Sequence, residues 1–294
     1  MSDWLVGYLP LVSQSILACG FAFSQYIVLR AGVFSVATAG LASIGAYTAA
    51  LATMRLGAPP AIALLASLVV GALAGAILSI PLARLRGVFQ AIATLAFVQI
   101  VLSVALYIEP VTGGALGLNG IPHVIDTWHL VAFLVIVVYL MLTLGASSIG
   151  RAFDAARQDE TVAVALGISV VRHHALAFML SGAIAGLTGG LYAFHRYSIV
   201  PEQFGFSLLV ESLAAVVLGG RISVAGPIVG AITLTVLPEL ARGLAEQRYL
   251  LHGALLMLVI IYLPGGIVDT VKFRLGQRAS GRLATKPTAP GGQP

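Results

Sequence analysis

Few side chains in this sequence could do chemistry, and the clearest candidate is a carboxylate inside an apolar segment. Glu211 lies in the stretch FSLLVESLAAVVLGG, with apolar neighbours on both sides and no arginine one helical turn away. An ionisable side chain at membrane depth is costly and therefore marks a candidate functional site. Two roles fit this position equally: contact with a cationic group of a substrate, or a structural hydrogen bond from a neutral carboxylic acid.

A second polar feature lies in the segment 88–108, where Gln90, Thr94 and Gln99 fall roughly one helical turn apart. Such a polar stripe favours a helix face that lines a pathway or a bundle interior. The alternative is a set of hydrogen bonds that hold neighbouring helices together.

The motifs of catalysis and metal binding are missing from the sequence. Neither Lys272 nor Lys286 stands in the G-x-x-x-x-G-K-S/T frame that binds ATP phosphates. His173 and His174 are adjacent, and adjacent residues on a helix do not face each other. The single cysteine, Cys19, excludes a disulfide scaffold. We therefore expect no catalytic residue, no metal site and no cofactor on this chain.

The composition explains why so few polar groups are present. The 294 residues are 59% hydrophobic and only 9% charged, with a mean hydropathy of +1.00, whereas an average soluble domain has about 25% charged residues. Such a chain cannot cover a globular surface with polar groups. This excludes an ordinary soluble enzyme, a disordered regulator and a nucleic-acid-binding domain, so the basic excess indicates membrane topology instead.

Apolar segments long enough to cross a bilayer follow one another along the chain. They occur at 8–29, 33–54, 60–83, 88–108, 128–147 and 175–194, then as an interrupted pair at 207–220 and 223–241, and last at 250–268. We predict an all-α, polytopic transmembrane bundle with about nine crossings, eight to ten at the limits. The stretches 33–54 and 207–241 are glycine-rich, short or interrupted, so some of them could be re-entrant. The membrane domain would span 1–271, followed by a basic, Pro/Gly-rich tail at 272–294.

The arginine and lysine residues predict the orientation, because cytoplasmic loops carry an excess of both. With an external N-terminus, the outer side holds four of the sixteen: Arg55, Arg196, Arg242 and Arg248. The other twelve lie on the side of the loop 148–174 and the tail. We therefore predict a multi-pass protein with its N-terminus outside and its C-terminus in the cytoplasm.

The loop 148–174 is the longest polar stretch between spans, and it contains a candidate docking helix. From Arg151 to Gly167, apolar residues recur at intervals of three and four, as in an amphipathic helix. Gly167 is the type of residue that ends a helix. The helix could simply link two spans, or it could dock on a cytoplasmic partner. The small and acidic residues suited to docking are Ala163, Ala165, Asp159 and Glu160.

Glycines recur at the four-residue spacing that lets helices pack closely. This predicts a tight bundle but does not separate a transporter from a channel or a membrane enzyme. The pairs are Gly71 and Gly75, Gly182 and Gly186, and Gly226 and Gly230.

Four stretches, in order along the chain, resemble a known family. They are GVFSVATAGLASIGAYTAAL; RGVFQAIATLAFVQIV with the later TGGALGLNGIP; RQDETVAVALGISVVRHHALAFMLSGAIAGLTGGLYA; and FSLLVESLAAVVLGGRISVAGPIVGA. They are similar to segments of the LivH/LivM permease family of branched-chain amino-acid ABC importers. The likeness runs from about Leu29 to Ile267 and is closer to the LivM type.

The resemblance implies a half-transporter, not an enzyme, with the helical permease core of vitamin-B12- and ribose-type importers. Permeases of this family pair with a second related permease, bind two cytoplasmic ATP-binding subunits that carry ATP and Mg, and receive solute from a periplasmic solute-binding protein. For this chain, the resemblance implies a bacterial inner membrane, contact with lipid and no nucleic acid. The helix 151–167 would be the coupling helix, with motif positions at Arg151, Asp159, Glu160, Ala163 and Gly167.

The resemblance also implies alternating access along a pathway formed by the segments 33–54, 88–108 and 207–220. The expected pathway residues are Ser35, Thr38, Tyr47, Gln90, Thr94 and Glu211.

Departures from the family pattern bear on the substrate. Ala37-Thr38 replaces a Gly-His pair, and Phe89-Gln90 replaces Tyr-Phe. We expect import of branched-chain or related amino acids, while urea, short amides and aromatic or other carboxylates stay open. A rival from another class is a secondary transporter or channel that uses Glu211 as an ion relay and needs no ATPase.

Overall fold

A computed structural model describes residues 3–240, 257 and 266–270, and its secondary structure is almost entirely helical. The helices are α1 (Asp3–Arg30), α2 (Thr38–Leu56), α3 (Pro60–Leu82), α4 (Val88–Tyr107), α5 (Glu109–Thr112), α6 (Thr127–Ala146), α7 (Ser148–Gln158), α8 (Glu160–Ala165), α9 (Val170–Arg196), α10 (Phe206–Gly219) and α11 (Ala225–Leu240). Two 3-10 turns, Gly114–Leu116 and Pro201–Phe204, and two short antiparallel strands, β1 (Leu118–Asn119) and β2 (Ser198–Ile199), complete the described part. The predicted all-α class is confirmed.

Six helical segments of the described part are long and apolar enough to cross a membrane. They are Leu9–Arg30, Pro60–Leu82, Val88–Tyr107, Thr127–Ala146, Val170–Arg196 and Pro201–Gly219. The first five agree with predicted spans to within five residues at either end, because each contains an apolar run long enough to cross a bilayer. The predicted span 250–268 lies mostly outside the described residues.

The predicted segment 33–54 corresponds to α2, which is an interior helix. It is continuous over 19 residues, and most of its residues as far as Ala50 are buried. It packs against α9, α3 and α4. A helix that is covered by protein needs no apolar exterior, and small residues allow its neighbours to approach closely. This explains why α2 is rich in Gly, Ala, Ser and Thr.

The centre of the bundle is formed by α1 and α9, and α4 and α6 lie at its edge. In the apolar windows of α1 and α9, 78% and 61% of the residues are buried, against 22% in α4 and in α6. Phe23 and Tyr26 of α1 are fully buried, whereas Leu73 of α3 and Ile100 of α4 are exposed. The peripheral helices thus offer apolar surfaces suited to lipid.

Glycines set the closest contacts between α9 and its neighbours. A side chain at Gly71 of α3 would overlap the backbone carbonyl of Gly182, and one at Gly45 of α2 would overlap the backbone of Gly186. Because no side chains intervene, the three backbones are in direct contact. The predicted packing role of these glycines in α3 and α9 is confirmed.

The predicted interrupted pair is formed by α10 and α11, which are joined by the turn 220–224. A side chain at Gly226 would overlap the carbonyl of Gly220, and one at Gly230 would overlap the carbonyl of Ala215. The two helices therefore pack backbone to backbone, as the spacing of Gly226 and Gly230 predicts.

Candidate functional site

The described part of the chain contains a cavity of about 650 Å³. Its walls come from α1, the end of α9, the turn Pro201–Phe204, α10 and α11. This volume lies within the usual range for small-molecule sites. The polar and charged side chains on its walls are Gln14, Tyr192, Arg196, Glu202, Gln203, Ser207, Glu211, Ser212 and Thr235.

The cavity wall carries charges of both signs. Arg196 and the carboxylates of Glu202 and Glu211 are exposed residues of the wall. The guanidinium carbon of Arg196 lies 5.6 Å from the centre of the Tyr192 ring, close enough for a cation–π contact. A solute that carries a positive and a negative group could therefore find a partner for each.

An aromatic surface forms another part of the same wall. The ring centres of Phe21 and Tyr192 are 6.3 Å apart, and the rings of Tyr192 and Phe204 meet edge to face at 5.7 Å. Leu17 and Leu234 add aliphatic surface. An apolar group of the solute would be removed from water here, at a gain of about 25 cal/mol for each Å² buried.

The strand pair fixes the chain between α9 and the cavity turn. Leu118 of β1 pairs with Ile199 of β2, and the N–H of Ile121 donates to the carbonyl of Tyr197 at 3.0 Å. Tyr197 has a left-handed backbone (φ +62°), which is rare for a residue other than glycine. The ring of His123 stacks on that of Tyr197 at 4.6 Å. These contacts hold the connection that leads from Arg196 to Glu202.

The predicted pathway residues separate into two groups. Glu211 lines the cavity, but the other five do not. Tyr47 is buried on α2, and its hydroxyl has no hydrogen-bond partner among the described residues. The remaining four belong to a buried group between α1, the start of α2 and α4, which we call the polar cluster: Gln25, Ser35, Thr38, Gln90 and Thr94.

Hydrogen bonds within the chain engage the polar cluster. The hydroxyl of Thr38 donates to Oε1 of Gln25 at 2.8 Å, and the Gln25 amide donates to the carbonyl of Ser35. The hydroxyl oxygen of Thr94 accepts from the N–H of Val36 at 3.1 Å. Buried polar groups are stable when they are paired in this way. Thr94 therefore holds α4 against the start of α2, and Gln90 is buried as well. Gln99 is exposed on another face of α4, so the predicted stripe of three residues on one face is wrong.

Arg196, Glu202 and Gln203 line the cavity, although none of them is predicted from the sequence as a site residue. The charge pattern places Arg196 only in an outer connection. A usable signal was present, since the polar stretch HRYSIVPEQF immediately precedes the segment that contains Glu211. Polar loops that border an intramembrane charge are natural candidates for a shared site.

At the opposite ends of α1 and α9, two helices replace the single helix predicted over 151–167. The backbone is extended at Asp159 (φ −157°), so α7 ends before it and α8 begins after it. The Asp159 carboxylate accepts from the N–H groups of Thr161 at 2.8 Å and Val162 at 3.1 Å. Aspartate is a strong N-cap, which explains why the helix is interrupted here. The prediction of one continuous helix is wrong.

The end of α8 agrees with the prediction for Gly167. This residue has φ +82°, and its N–H donates to the carbonyl of Val164 at 2.9 Å. The N–H of Ile168 donates to the carbonyl of Ala163 at 3.0 Å. The two bonds form a Schellman motif, in which glycine is the preferred residue at this position.

The interruption at Asp159 changes which residues the helix pair exposes. Ala163 is buried against Ala156 of α7 and Val170 of α9, so it does not face outward as a docking residue would. Glu160 is 3.6 Å from Arg86 in an ion pair. The exposed residues from the start of α7 to the residue after α8 are Ser148, Arg151, Gln158, Asp159, Thr161, Val162, Val164, Ala165 and Leu166.

The chain matches the family described as branched-chain amino acid transport system, permease component, over residues 8–262. The chain belongs to this permease family. The match includes the cavity, the polar cluster and the α7–α8 pair, and the permease is a multi-pass membrane protein of the transport class.

Individual relatives support the same assignment. The permease is 33% identical over 283 residues to the high-affinity branched-chain amino acid transport system permease protein LivM of Salmonella typhimurium, over 85% of this chain and 67% of that protein. LivM of Escherichia coli gives the same identity and coverage. LivH of Salmonella typhimurium is 33% identical over 124 residues, 42% of this chain and 40% of that protein. The predicted resemblance to the LivM type is confirmed, and no solved structure matches the permease.

Proposed function

We propose that the permease is the membrane-spanning subunit of an ATP-driven ABC importer for branched-chain or related amino acids. Solute would cross by alternating access through the cavity. The observation that carries this proposal is the composition of the cavity wall, where an arginine, two glutamates and an aromatic surface surround about 650 Å³. The names of the LivM and LivH relatives, which refer to branched-chain amino acid transport, support the same substrate class.

A free amino acid matches each part of this wall. Its carboxylate would accept charge-assisted hydrogen bonds from Arg196, whose guanidinium has a planar fork of donors. Its ammonium would approach Glu202 and Glu211. The aliphatic side chain of leucine, isoleucine or valine would lie against Phe21 and Phe204, where burial of apolar area is favourable.

The alternative substrates use less of the cavity. Urea and short amides are neutral and would form no ionic contact with any of the three charged side chains. An aromatic carboxylate would engage Arg196 but would bring a second negative charge toward Glu202 and Glu211. Like charges at close range disfavour binding. A zwitterion avoids both problems.

The α7–α8 pair is the proposed contact with the ATP-binding subunits. Val162, Val164 and Leu166 leave 54%, 60% and 73% of their surface exposed, an apolar patch that a partner protein could cover. Arg151 and Asp159 lie exposed at the same pair. The chain has no phosphate-binding motif, so ATP and Mg would be bound by those partner subunits.

The proposed importer also needs a second permease and a solute-binding protein. A second, related permease would complete the transporter, and the partial match to LivH supports such a relationship. The excess of Arg and Lys on the α7–α8 side supports a cytoplasmic location for that side. The cavity end would then face the periplasm, where a solute-binding protein would deliver substrate.

Solute uptake by the complete transporter tests the proposal. The permease is produced with the transport subunits encoded beside it, and uptake of labelled leucine is measured with an active and with a hydrolysis-dead ATPase. Uptake should vanish with the dead ATPase. Uptake that persists would contradict the proposal and favour an ion-coupled transporter or channel.

Competition with unlabelled compounds then tests whether the transporter selects a zwitterion. Unlabelled isoleucine should compete strongly, while 3-methylbutylamine, 4-methylpentanoate, urea and benzoate should compete weakly, because each lacks at least one of the two charges. Equal competition by the amine or by the acid would contradict the proposed roles of Arg196 and the glutamates.

A further inference from the structure

We infer that Arg30 and Asp269 are positioning residues of transport, which connect α7 mechanically to the cavity wall formed by α10 and α11. The connection runs from Asp154 on α7 through Arg30 and Tyr26 on α1 to the turn 220–224. The inference rests on the proposed function, because it assumes that partner ATPases act on α7 and α8.

The first contact joins α7 to the end of α1. The guanidinium of Arg30 donates from Nε to Oδ1 of Asp154 at 3.3 Å and from Nη2 to Oδ2 at 3.0 Å. The side chain of Arg30 is only 12% exposed. A bidentate pair of this kind fixes both distance and orientation. Arg30 would stay largely buried if it lost Asp154, whose own side chain is 36% exposed, and a buried charge without its partner is costly. The helices α7 and α1 should therefore move together.

The second contact joins α1 to the turn between α10 and α11. The hydroxyl of Tyr26, one helical turn before Arg30, donates to the carbonyl of Ile222 at 3.1 Å. The Nη1 atom of Arg30 approaches the same hydroxyl at 3.5 Å. Tyr26 is 1% exposed, so water does not compete for this bond.

The third contact holds the same turn from its other side. The carboxylate of Asp269 accepts from the N–H of Ile222 at 2.9 Å and from the N–H of Ser223 at 3.1 Å. Gly220, at the start of the turn, has φ +121°, and a side chain there would meet the Asp269 carboxylate. The turn is therefore held between Tyr26 and Asp269.

The turn leads directly to the cavity wall. It begins where α10 ends and stops where α11 begins, and these helices supply Glu211, Ala215, Ala231 and Leu234 to the cavity. Because α10 and α11 touch backbone to backbone, they can shift as a unit. A displacement of α7 would thus reach the cavity through side chains that are already paired.

The test is the amount of solute imported per ATP hydrolysed by the reconstituted transporter. Tyr26→Phe removes only the hydroxyl, and Asp269→Asn keeps the shape but weakens two hydrogen bonds. Each should lower solute per ATP about fivefold, the size expected for a coupling residue, with little change in ATP hydrolysis. Tyr139→Phe makes the same chemical change on the exposed face of α6 and should leave the ratio unchanged.

Exchanging the charges of Arg30 and Asp154 keeps the test informative if a single variant fails to fold. Asp154→Arg alone should abolish coupled uptake, and Arg30→Asp combined with Asp154→Arg should restore at least part of it. Unchanged ratios in the Tyr26 and Asp269 variants, or no recovery in a folded double variant, would overturn the inference alone. If uptake by the wild-type transporter does not depend on ATP hydrolysis, both the proposed function and this inference are overturned.

Discussion

The cavity and the polar cluster place similar side chains in very different surroundings. In the polar cluster, Gln25 and Thr38 are buried and hydrogen-bonded to each other, and the buried Thr94 accepts from the backbone N–H of Val36, just before α2. In the cavity, Arg196, Glu202 and Glu211 face an open volume beside aromatic rings. The comparison shows that a polar residue at membrane depth can hold helices together or can face a solute. Its residue type does not decide between these roles.

Among the variants that test this comparison, Arg196→Gln should have the largest effect, which is on the KM for leucine uptake. Loss of the guanidinium removes charge-assisted hydrogen bonds worth about 1.5–3 kcal/mol, so the KM for leucine uptake should rise about 10- to 100-fold. Thermal stability should hardly change, because Arg196 is exposed. Arg172→Gln, an exposed change at the other end of α9, is the matched control. An unchanged KM would contradict the proposal that Arg196 contacts the solute.

Thr38→Val should have the opposite effect: stability should fall while the KM stays the same. The valine keeps the shape but leaves Oε1 of Gln25 without the donor at 2.8 Å, which costs about 1–2 kcal/mol when the group is buried. The melting temperature in detergent should fall by several degrees, while the KM of the folded protein stays the same. Thr143→Val, on an exposed part of α6, should change stability by less. A raised KM without loss of stability would instead assign Thr38 to the pathway.

Glu211→Gln should give a smaller change, and it separates the two roles proposed for this carboxylate. If Glu211 attracts the substrate ammonium, loss of its charge should raise the KM about fivefold, as for a partly screened ionic contact. Glu109→Gln, on the exposed helix α5, controls for a general effect of charge. A drop in stability at constant KM would favour the structural role.

Tyr47→Phe should have the smallest effect and sharpens the boundary between the two regions. The Tyr47 hydroxyl is buried with no hydrogen-bond partner among the described residues, so its removal should leave stability unchanged or raise it by up to about 1 kcal/mol. The melting temperature and the KM should both be measured. A clear rise in KM would place Tyr47 on the solute's route.

The fold was largely predictable because spanning length and glycine spacing are local signals. Apolar runs of about 20 residues fixed the limits of α3, α4 and α6 to within a residue or two. The pair Gly182 and Gly186 also predicted close packing. The break at Asp159 was not predicted, because the apolar spacing continues through it while the competing N-cap is a single side chain.

The candidate site was less predictable because it is assembled from distant parts of the chain. Gln14 and Arg196 line the same cavity as residues of α10 because α1 packs against both α9 and α10. The sequence pattern on α4 could not reveal that Thr94 would bond to the backbone at Val36. Which polar side chains face a cavity depends on the rotation of each helix, and in a helix that is covered on all sides no apolar stripe reveals it.

The glycine contacts of α9 limit how the protein can move. Carbonyls of α9 lie where side chains of α2 and α3 would otherwise be, so a slide of one residue along the axis would drive a Cβ atom into a backbone. We therefore expect α2, α3 and α9 to behave as one rigid body, relative to which the other helices can rotate. Any opening and closing of the cavity would then be carried by the α10–α11 side, and α9 would contribute Tyr192 and Arg196 as a fixed reference point.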